Sequence, residues 1–467
     1  MQTRTKIVAT LGPSSESQQA IAELIEAGAT VFRLNAKHSK PEWLEGIIAR
    51  IRAVAGRRNV GIMLDLKGPE IRIGKFEAGH AELKEGATVT FAPGDLGSQQ
   101  KIILNDTRVL RKIKPGHTFY IDDGKFEFRA ISASAGSVKA KVVRGGKISN
   151  HKSVNLPDAD LDLPVLEKKD FEMIRLGLKN HVDFFALSFV RNRGDIQALR
   201  RRIAGSPAKI IAKIERPQAI KNFAEILEET DAIMVARGDL GIEIPLTEVP
   251  LVQKDLIRKA REAAKPVITA TQMLESMIEN PRPTRAEVSD VANAILDGTD
   301  AVMLSAETAV GHYPVLAVRV MAQIDESINS KNLRGFRPAH QKPGNTTEAV
   351  SQAVDTLSRY PLDFKAIVLL TETGRTARMI AKFEPTQPIY AITGDRTTAN
   401  QMSLIWGVSP RVIKFKRAAD TERIFSFVLS VLKSEKALRK GDKVLCISGS
   451  IVGKENLTNS IKIHPVA

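Results

Sequence analysis

The sequence predicts an α/β protein built on a (β/α)8 TIM barrel, with an inserted all-β lid domain and a C-terminal α/β domain. Three observations carry that expectation. Short β-branched, apolar segments alternate with stretches of helical period, the pattern of parallel βαβ units. Between the third and fourth such strands, from Gly74 to Asp160, the texture changes to strand-like alternation broken by turn residues. After a polar stretch, Lys331–Asn345, the α/β rhythm resumes. With 467 residues, the chain also exceeds the roughly 250–300 residues that one core supports. The divisions expected are 1–70 with 161–335 for the barrel, 71–160 for the lid and 345–467 for the C-terminal domain.

The barrel strands are expected at Lys6–Thr10, Thr30–Leu34, Gly61–Leu64, Asp183–Leu187, Ala208–Ala212, Ala232–Val235, Pro266–Thr269 and Asp300–Leu304. A first helix, Ser17–Glu26, follows Ser14-Ser15 as a cap and stops at Gly28. In the insertion, Ala87–Phe91 and Phe126–Ala130 alternate, and Pro93-Gly94-Asp95, Pro115-Gly116 and Asp122-Asp123-Gly124 mark turns. An insertion in a loop on the catalytic face suits a lid. The last domain is expected to hold strands near Ala366–Leu370, Ile389–Ile392, Arg411–Phe415 and Lys443–Ile447. The single cysteine, Cys446, lies in the last of these as a buried strand residue. It excludes an internal disulfide and suits a reducing compartment.

Lys and Arg number 69 against 53 Asp and Glu, a net charge of +16. The cations are spread along the chain, so a solvated basic face is the simplest reading, and anionic substrates would be drawn to it. Aromatic residues make up 5%, too few for a base-stacking surface, and no nucleic-acid partner is expected. No run approaches the ~20 apolar residues that cross a bilayer, and Met1 to Ala9 lacks an apolar signal region. No membrane contact and a cytoplasmic location are expected.

Active sites of such barrels form where the strands end. Here strand two leads into Arg33-Leu34-Asn35-Ala36-Lys37-His38, strand three into Asp65-Leu66-Lys67-Gly68-Pro69-Glu70-Ile71-Arg72, and strand five into Lys213-Ile214-Glu215. Strand six leads into Arg237-Gly238-Asp239, strand seven into Thr271-Gln272, and strand eight into Ser305-Ala306-Glu307. Singly, Lys213 suits a surface lysine and Asp239 a helix cap; six strands delivering such residues to one rim is a different matter. Phosphoryl transfer needs cations on the phosphoryl oxygens and a divalent metal. Glu215 and Asp239 could share a hard ion such as Mg2+ with substrate oxygens. Arg33 and Lys213 suit the phosphoryl group, and the Gly238–Asp239 amides suit a carboxylate.

At these residues the chain resembles the pyruvate kinases, and the resemblance covers nearly its whole length. It is carried by Lys6–Ser14, Leu64–Gly74, Val154–Pro157, Ile210–Glu215, Ile233–Gly241, Ala270–Met277 and Met303–Thr308. The resemblance implies transfer of the phosphoryl group of phosphoenolpyruvate to ADP, giving pyruvate and ATP, with Mg2+ or Mn2+. It implies that Lys213 neutralises the moving phosphoryl group and stabilises the enolate, with Arg33 on the phosphate. Glu215 and Asp239 would hold the divalent ion, and Thr271 with the Gly238–Asp239 backbone the substrate carboxylate. Thr271, Ser305 and Glu307 would border a water relay that protonates the enolate. Asn35, His38, Arg72 and Lys152 would lie on the nucleotide side, Lys152 arriving as the lid closes. A homotetramer is also implied.

Two departures stand out. The family's K+ site uses an Asn, a Ser, an Asp and a backbone carbonyl. Asn35, Asp65 and the Leu66 carbonyl are in place, but Lys37 stands at the serine position. A fixed ammonium would repel K+ from that pocket, so no added K+ is expected to be required. Glu70 argues the other way, since K+-independent members more often carry Lys there. The loop Thr371-Glu372-Thr373-Gly374-Arg375-Thr376 resembles the family's site for a phosphorylated effector. Glu372 opposes a second phosphate, which favours a monophosphate effector, or none, over fructose 1,6-bisphosphate; a plain helix cap is the alternative. Two rival functions are compatible with parts of the sequence: a lyase-type barrel acting on phosphoenolpyruvate or an oxoacid, and a basic nucleic-acid-binding relative.

Overall fold

In the computed structural model, the strands Lys6–Thr10, Ala29–Asn35, Gly61–Asp65, Phe184–Leu187, Lys209–Ile214, Ala232–Ala236, Val267–Ala270 and Ala301–Leu304 close into one barrel. The residues described are 3–37, 39–134, 136–159, 163–331, 333, 338–360, 363–414, 421–449 and 458–467. Every barrel neighbour pairs in parallel, and the first strand closes against both the second and the eighth. Parallel strands covered on both faces read as continuous apolar runs, and Gly61–Asp65 and Ala232–Ala236 are buried at every position. Val8, Met63, Ile211, Met234 and Met303 fill the interior, while a larger shell packs the helices outside.

The strand ends differ from expectation in a way that matters. Strand five continues to Ile214, and strand two to Asn35. Lys213, Arg33 and Asn35 are therefore strand residues, held by ladder hydrogen bonds, rather than loop residues beyond the rim. The first helix is Gln18–Ala27, capped by Ser17, whose side chain accepts from the Ala20 amide at 3.0 Å, and not by Ser14-Ser15. Gly28 ends it at φ 126°, a conformation open to glycine.

The insertion forms a six-stranded sheet and two short pairs. It has its own core: the rings of Phe91, Phe119 and Phe128 lie 4.9–5.4 Å apart between centroids. Its outgoing and returning segments run together as a stem, with the Ile73 amide donating to Lys152 O and the Val154 amide to Ile71 O, both at 2.9 Å. The C-terminal sheet has five strands. Its third strand is Val408–Val412, three residues earlier than expected, because the apolar signal of Ile413 lies beyond the pairing with Ile389–Thr393. A fifth strand, Thr458–Pro465, pairs antiparallel at the edge and was not anticipated. Cys446 is buried as expected, and burial pushes its thiol up to about 12.

Barrel and C-terminal domain are fastened by buried polar contacts. Lys6 Nζ donates to Val408 O at 2.8 Å, Arg261 pairs with Glu384 at 3.0 Å, and the Asp300 carboxylate accepts the Trp406 and Val267 amides, each at 3.0 Å. Among the described residues, no helix is long and apolar enough to cross a membrane.

Gly177 lies inside the helix Lys168–Lys179, where glycine is unfavourable. A Cβ there would meet the Phe185 ring at 2.7 Å and Leu64 at 3.1 Å, so the helix can sit this close to the barrel only without a side chain. Gly177→Val is expected to cost about 1–3 kcal/mol and to lower the thermal unfolding midpoint, measured by calorimetry or circular dichroism.

Candidate active site

Strand five delivers an ammonium into a ring of carboxylates. Lys213 Nζ lies 2.8 Å from Glu215 Oε1 and 3.4 Å from Asp65 Oδ1, and it donates to Ser188 Oγ at 2.9 Å. Asp65 is also gripped by Arg33, through Nε at 2.7 Å and a terminal nitrogen at 2.6 Å. Arg33 reaches Thr10 Oγ1 as well, at 3.2 Å. Lys213, Asp65, Glu215 and Ser188 are all buried. Burial works to lower the Lys213 pKa, but Asp65, Glu215 and Asp239 outweigh it and push it up, so the ammonium stays charged. Burial likewise works to raise the Asp65 carboxyl, yet Lys213 and Arg33 hold it below the usual carboxylate range.

Asp239 sits in the first turn of the short helix Arg237–Glu243 that follows strand six. It has no hydrogen-bond or ion-pair partner among the described residues. Burial and the Glu215 charge push its carboxyl up to about 7, against the opposing pull of Lys213. Glu215 Oε2 accepts the Phe189 amide at 2.8 Å. Its Oε1 meets Lys213 as an ion pair whose angles make no hydrogen bond, and is otherwise without a partner. A buried and a half-buried carboxylate with unused lone pairs fit a divalent cation that draws its remaining ligands from substrate and water. No group of three or more His, Cys, Asp or Glu able to hold a metal by itself occurs among the described residues.

Thr271 is set behind the same helix. Its backbone is left-handed at φ 66°, followed by Gln272 at φ 52°. For a β-branched residue that geometry is strained, at about 1–3 kcal/mol, and persists only where the surroundings impose it. Arg237 imposes it: its guanidinium donates to Thr271 O at 2.8 Å and Gln272 O at 3.2 Å, and its other arm is tied to Asp290 at 2.8 Å. The Thr271 hydroxyl accepts the Gly238 amide at 2.7 Å. The Gly238 N–H is thus occupied by the Thr271 hydroxyl. Glu307 accepts the Ser305 amide at 2.7 Å and the Leu274 amide at 3.2 Å, while Ser305 Oγ is buried without a partner. Burial pushes the Glu307 carboxyl up.

A cavity of about 210 Å³ opens between barrel and lid, lined among others by Asp239, Phe189, Lys37, Arg72, Asp122 and Lys152. Arg72 pairs with Glu70 at 2.8 Å and donates to His151 O; Lys152 pairs with Asp122 at 2.9 Å. His38 lies outside the described residues. Lys37 departs from its expected place. Its ammonium pairs with Glu70 at 2.9 Å, not with Asn35 or Asp65, because Glu70 supplies the nearer carboxylate. Asn35 Oδ1 accepts the Lys37 amide at 3.0 Å instead. In the loop Thr371–Thr376, Thr371 Oγ1 accepts the Gly374 amide at 3.0 Å and Thr376 bonds Thr458 at 2.7 Å. Gly374, at φ 74°, heads the helix Arg375–Ala381 with no side-chain cap.

A barrel whose rim buries an ammonium among carboxylates, beneath an all-β lid, is the frame of a phosphotransferase. The family models for the barrel domain and the alpha/beta domain of pyruvate kinase match residues 2–318 and 348–464. Pyruvate kinase 2 of Synechocystis is 42% identical over 475 aligned residues, covering 99% of this chain and 79% of that protein. The pyruvate kinase of Geobacillus stearothermophilus is 41% identical over 479, covering 100% and 81%. A crystal structure of a pyruvate kinase from Cryptosporidium parvum superposes with a TM-score of 0.93 at 36% identity, covering 100% of this chain and 97% of that one. The chain belongs to the pyruvate kinase family. Its reaction is the transfer of the phosphoryl group of phosphoenolpyruvate to ADP.

Ser188 was not singled out from the sequence. It donates to Leu66 O at 2.8 Å and so turns its lone pairs toward Lys213. Ser188→Ala removes a hydrogen bond to a charged group, about 1.5–3 kcal/mol, and is expected to lower kcat roughly 10- to 100-fold in steady-state assays.

Proposed function

We propose that Lys213 is the group that carries the developing charge as the phosphoryl leaves phosphoenolpyruvate, and that it then holds the enolate oxygen. The single observation that supports this is its position: an ammonium held charged, on a strand, with Glu215, Asp65 and Ser188 fixing it from three sides. A preorganised cation of this kind loses no energy in reorientation when charge develops. Arg33 is rigid on Asp65 and presents its remaining donors to the phosphoryl oxygens. Glu215 and Asp239 are the proposed ligands of Mg2+ or Mn2+, which when bound would neutralise the oxygens of substrate and moving phosphoryl group. Thr271 and the Gly238–Asp239 backbone receive the substrate carboxylate. Thr271, Ser305 and Glu307 border the route of the proton to the enolate, and the unpartnered Ser305 hydroxyl is free to hold a water there.

Asn35, His38, Arg72 and Lys152 are proposed for the nucleotide side; the cavity shared by Arg72 and Lys152 supports two of them. We place the monovalent-ion position at Asn35, Asp65 and the Leu66 carbonyl and propose that K+ is not required. Asp65 already has Arg33 on one oxygen and Lys213 on the other, and Lys37 neutralises Glu70. Burial works to raise the Glu70 carboxyl, but the Lys37 and Arg72 hydrogen bonds hold it low. With Asp65 and Glu70 already paired to cations, little uncompensated negative charge is left there to attract a further monovalent ion.

The loop Thr371–Thr376 is proposed for an effector bearing one phosphate, or for none, rather than for a bisphosphate, since Glu372 disfavours a second phosphate. A homotetramer is proposed, and the exposed Leu246 and Leu251 offer apolar surface for it. The lone thiol of Cys446 supports a cytoplasmic setting. The domain divisions 1–70 with 161–335, 71–160 and 345–467 are supported by separate clusters of buried side chains.

Lys213→Met is expected to lower kcat by at least 10²–10³-fold, the scale of losing one preorganised charge-stabilising group, in a coupled assay of ADP-dependent pyruvate formation. Retained activity would remove Lys213 from the chemistry. Replacing K+ by Na+ or by an organic cation is expected to change kcat by less than about twofold, and Lys37→Ser to create K+ activation. Strong K+ activation of the unaltered enzyme would refute the ion reading.

A further inference from the structure

The helix Arg237–Glu243 has only seven residues, and both ends are tied to different parts of the molecule. At its first residue, Arg237 is anchored to Asp290 and to the carbonyls of Thr271 and Gln272. At its last, Glu243 Oε1 accepts a hydrogen bond from Asn155 Nδ2 at 3.0 Å. Asn155 belongs to the lid's returning stem. It pairs with Tyr120 across the short strand Val154–Asn155, and the next strand residue, Ile121, opens directly into the Asp122-Asp123-Gly124 turn. That turn is bound back to the stem: Asp122 N donates to Ser153 O at 3.0 Å, and Ser153 Oγ donates to Asp123 at 3.0 Å. The same turn faces the helix a second time, since a Cβ on Gly124 would lie 4.0 Å from the Ile242 side chain.

Between the two anchored ends lies Asp239, which has no partner of its own. Asn155 and Asp239 both line the cavity between lid and barrel. Glu243 is buried beside Arg216 and feels Glu215 and Asp158 as well. A buried carboxylate is costly to retain unless its hydrogen bonds hold, so the Asn155 contact is one the lid gives up only at a penalty.

We propose that Glu243 is a positioning residue for phosphoryl transfer, the point at which the lid, through Asn155, sets the helix that carries Asp239. The proposal rests on Asp239 being an ion ligand. Movement of the lid stem is thereby passed to the helix end one turn from Asp239, and the ion site is in register when the stem is docked. Asn155 is the lid's half of the latch; neither residue needs to touch substrate.

The hydrogen bond can be reversed by exchanging the partners' chemistry. Asn155→Asp alone sets two carboxylates against each other. Combined with Glu243→Gln, the new amide donates to the new carboxylate and the bond is restored with its direction inverted. Mn2+ binding, followed by electron paramagnetic resonance with and without phosphoenolpyruvate, and kcat are measured for both variants and for Asn155→Ala, Glu243→Ala and their double variant. Asn155→Asp is expected to lower kcat and weaken Mn2+ binding about tenfold or more, the scale of one lost hydrogen bond to a charged group, and the exchanged pair to recover most of both at an unchanged unfolding midpoint. The two alanine variants are expected to be no worse together than either alone. Full binding in Asn155→Asp, no recovery in the exchanged pair, or additive alanine effects would each overturn the latch. Undiminished Mn2+ binding by Asp239→Asn would instead overturn the ligand reading on which it rests.

Discussion

Two cations, Lys213 and Arg33, meet three carboxylates, Asp65, Glu215 and Asp239, at the mouth of the barrel, with Lys213, Asp65 and Glu215 buried and Arg33 and Asp239 half-buried, and the rest of the site follows from that imbalance. Each buried charge would be prohibitive alone. Asp65 is satisfied by both cations, which fixes Arg33 and Lys213 in place. Glu215 is half satisfied, by Lys213 and the Phe189 amide. Asp239 is left without a hydrogen-bond or ion-pair partner among the described residues, and burial together with the Glu215 charge pushes its carboxyl up to about 7 against the pull of Lys213. One excess negative charge facing a cavity is a standing demand for a cation. That demand is the physical basis on which Glu215 and Asp239 are proposed as the ion ligands.

Holding such a cluster requires backbone in conformations the chain would not choose. Phe189 at φ 56° turns its amide onto Glu215, and Thr271 at φ 66° turns its hydroxyl onto Gly238. Both residues follow barrel strands, where closed parallel pairing leaves the next residue little freedom. Arg216 over the Phe189 ring, 5.0 Å from its centroid, and Arg237 on the Thr271 and Gln272 carbonyls hold these turns in place. Strain at the rim is thus offset by buried arginines that the chemistry itself does not use.

How much of this could be read from residues alone depends on what carried the signal. Apolar, β-branched runs marked all eight barrel strands, because a strand covered on both faces tolerates little else. Charged residues at strand ends marked Arg33, Lys213, Glu215 and Asp239, because such groups have no business in a dry barrel except at a site. Ser188 escaped notice: a serine carries no charge, and only the parallel register of Phe184–Leu187 with Lys209–Ile214 brings it beside the ammonium. Glu243 and Asn155 escaped for a related reason, since their contact joins positions 88 residues apart across two domains. The edge strand Thr458–Pro465 is too polar to read as buried, and half of its residues are exposed. Lys37 was placed by analogy with a serine and found a carboxylate partner, Glu70, whose loop position the sequence does not encode locally.

The account stands or falls on the leftover carboxylate. A crystal of the enzyme with Mn2+ and phosphoenolpyruvate, with data collected at the manganese edge, gives the test in one map. The expected result is a single anomalous peak bonded to one oxygen each of Glu215 and Asp239, at about 2.0–2.2 Å, with Lys213 beside the phosphoryl group. A peak elsewhere in the cavity, or one that leaves Asp239 uncoordinated, would contradict the charge balance described for the barrel mouth.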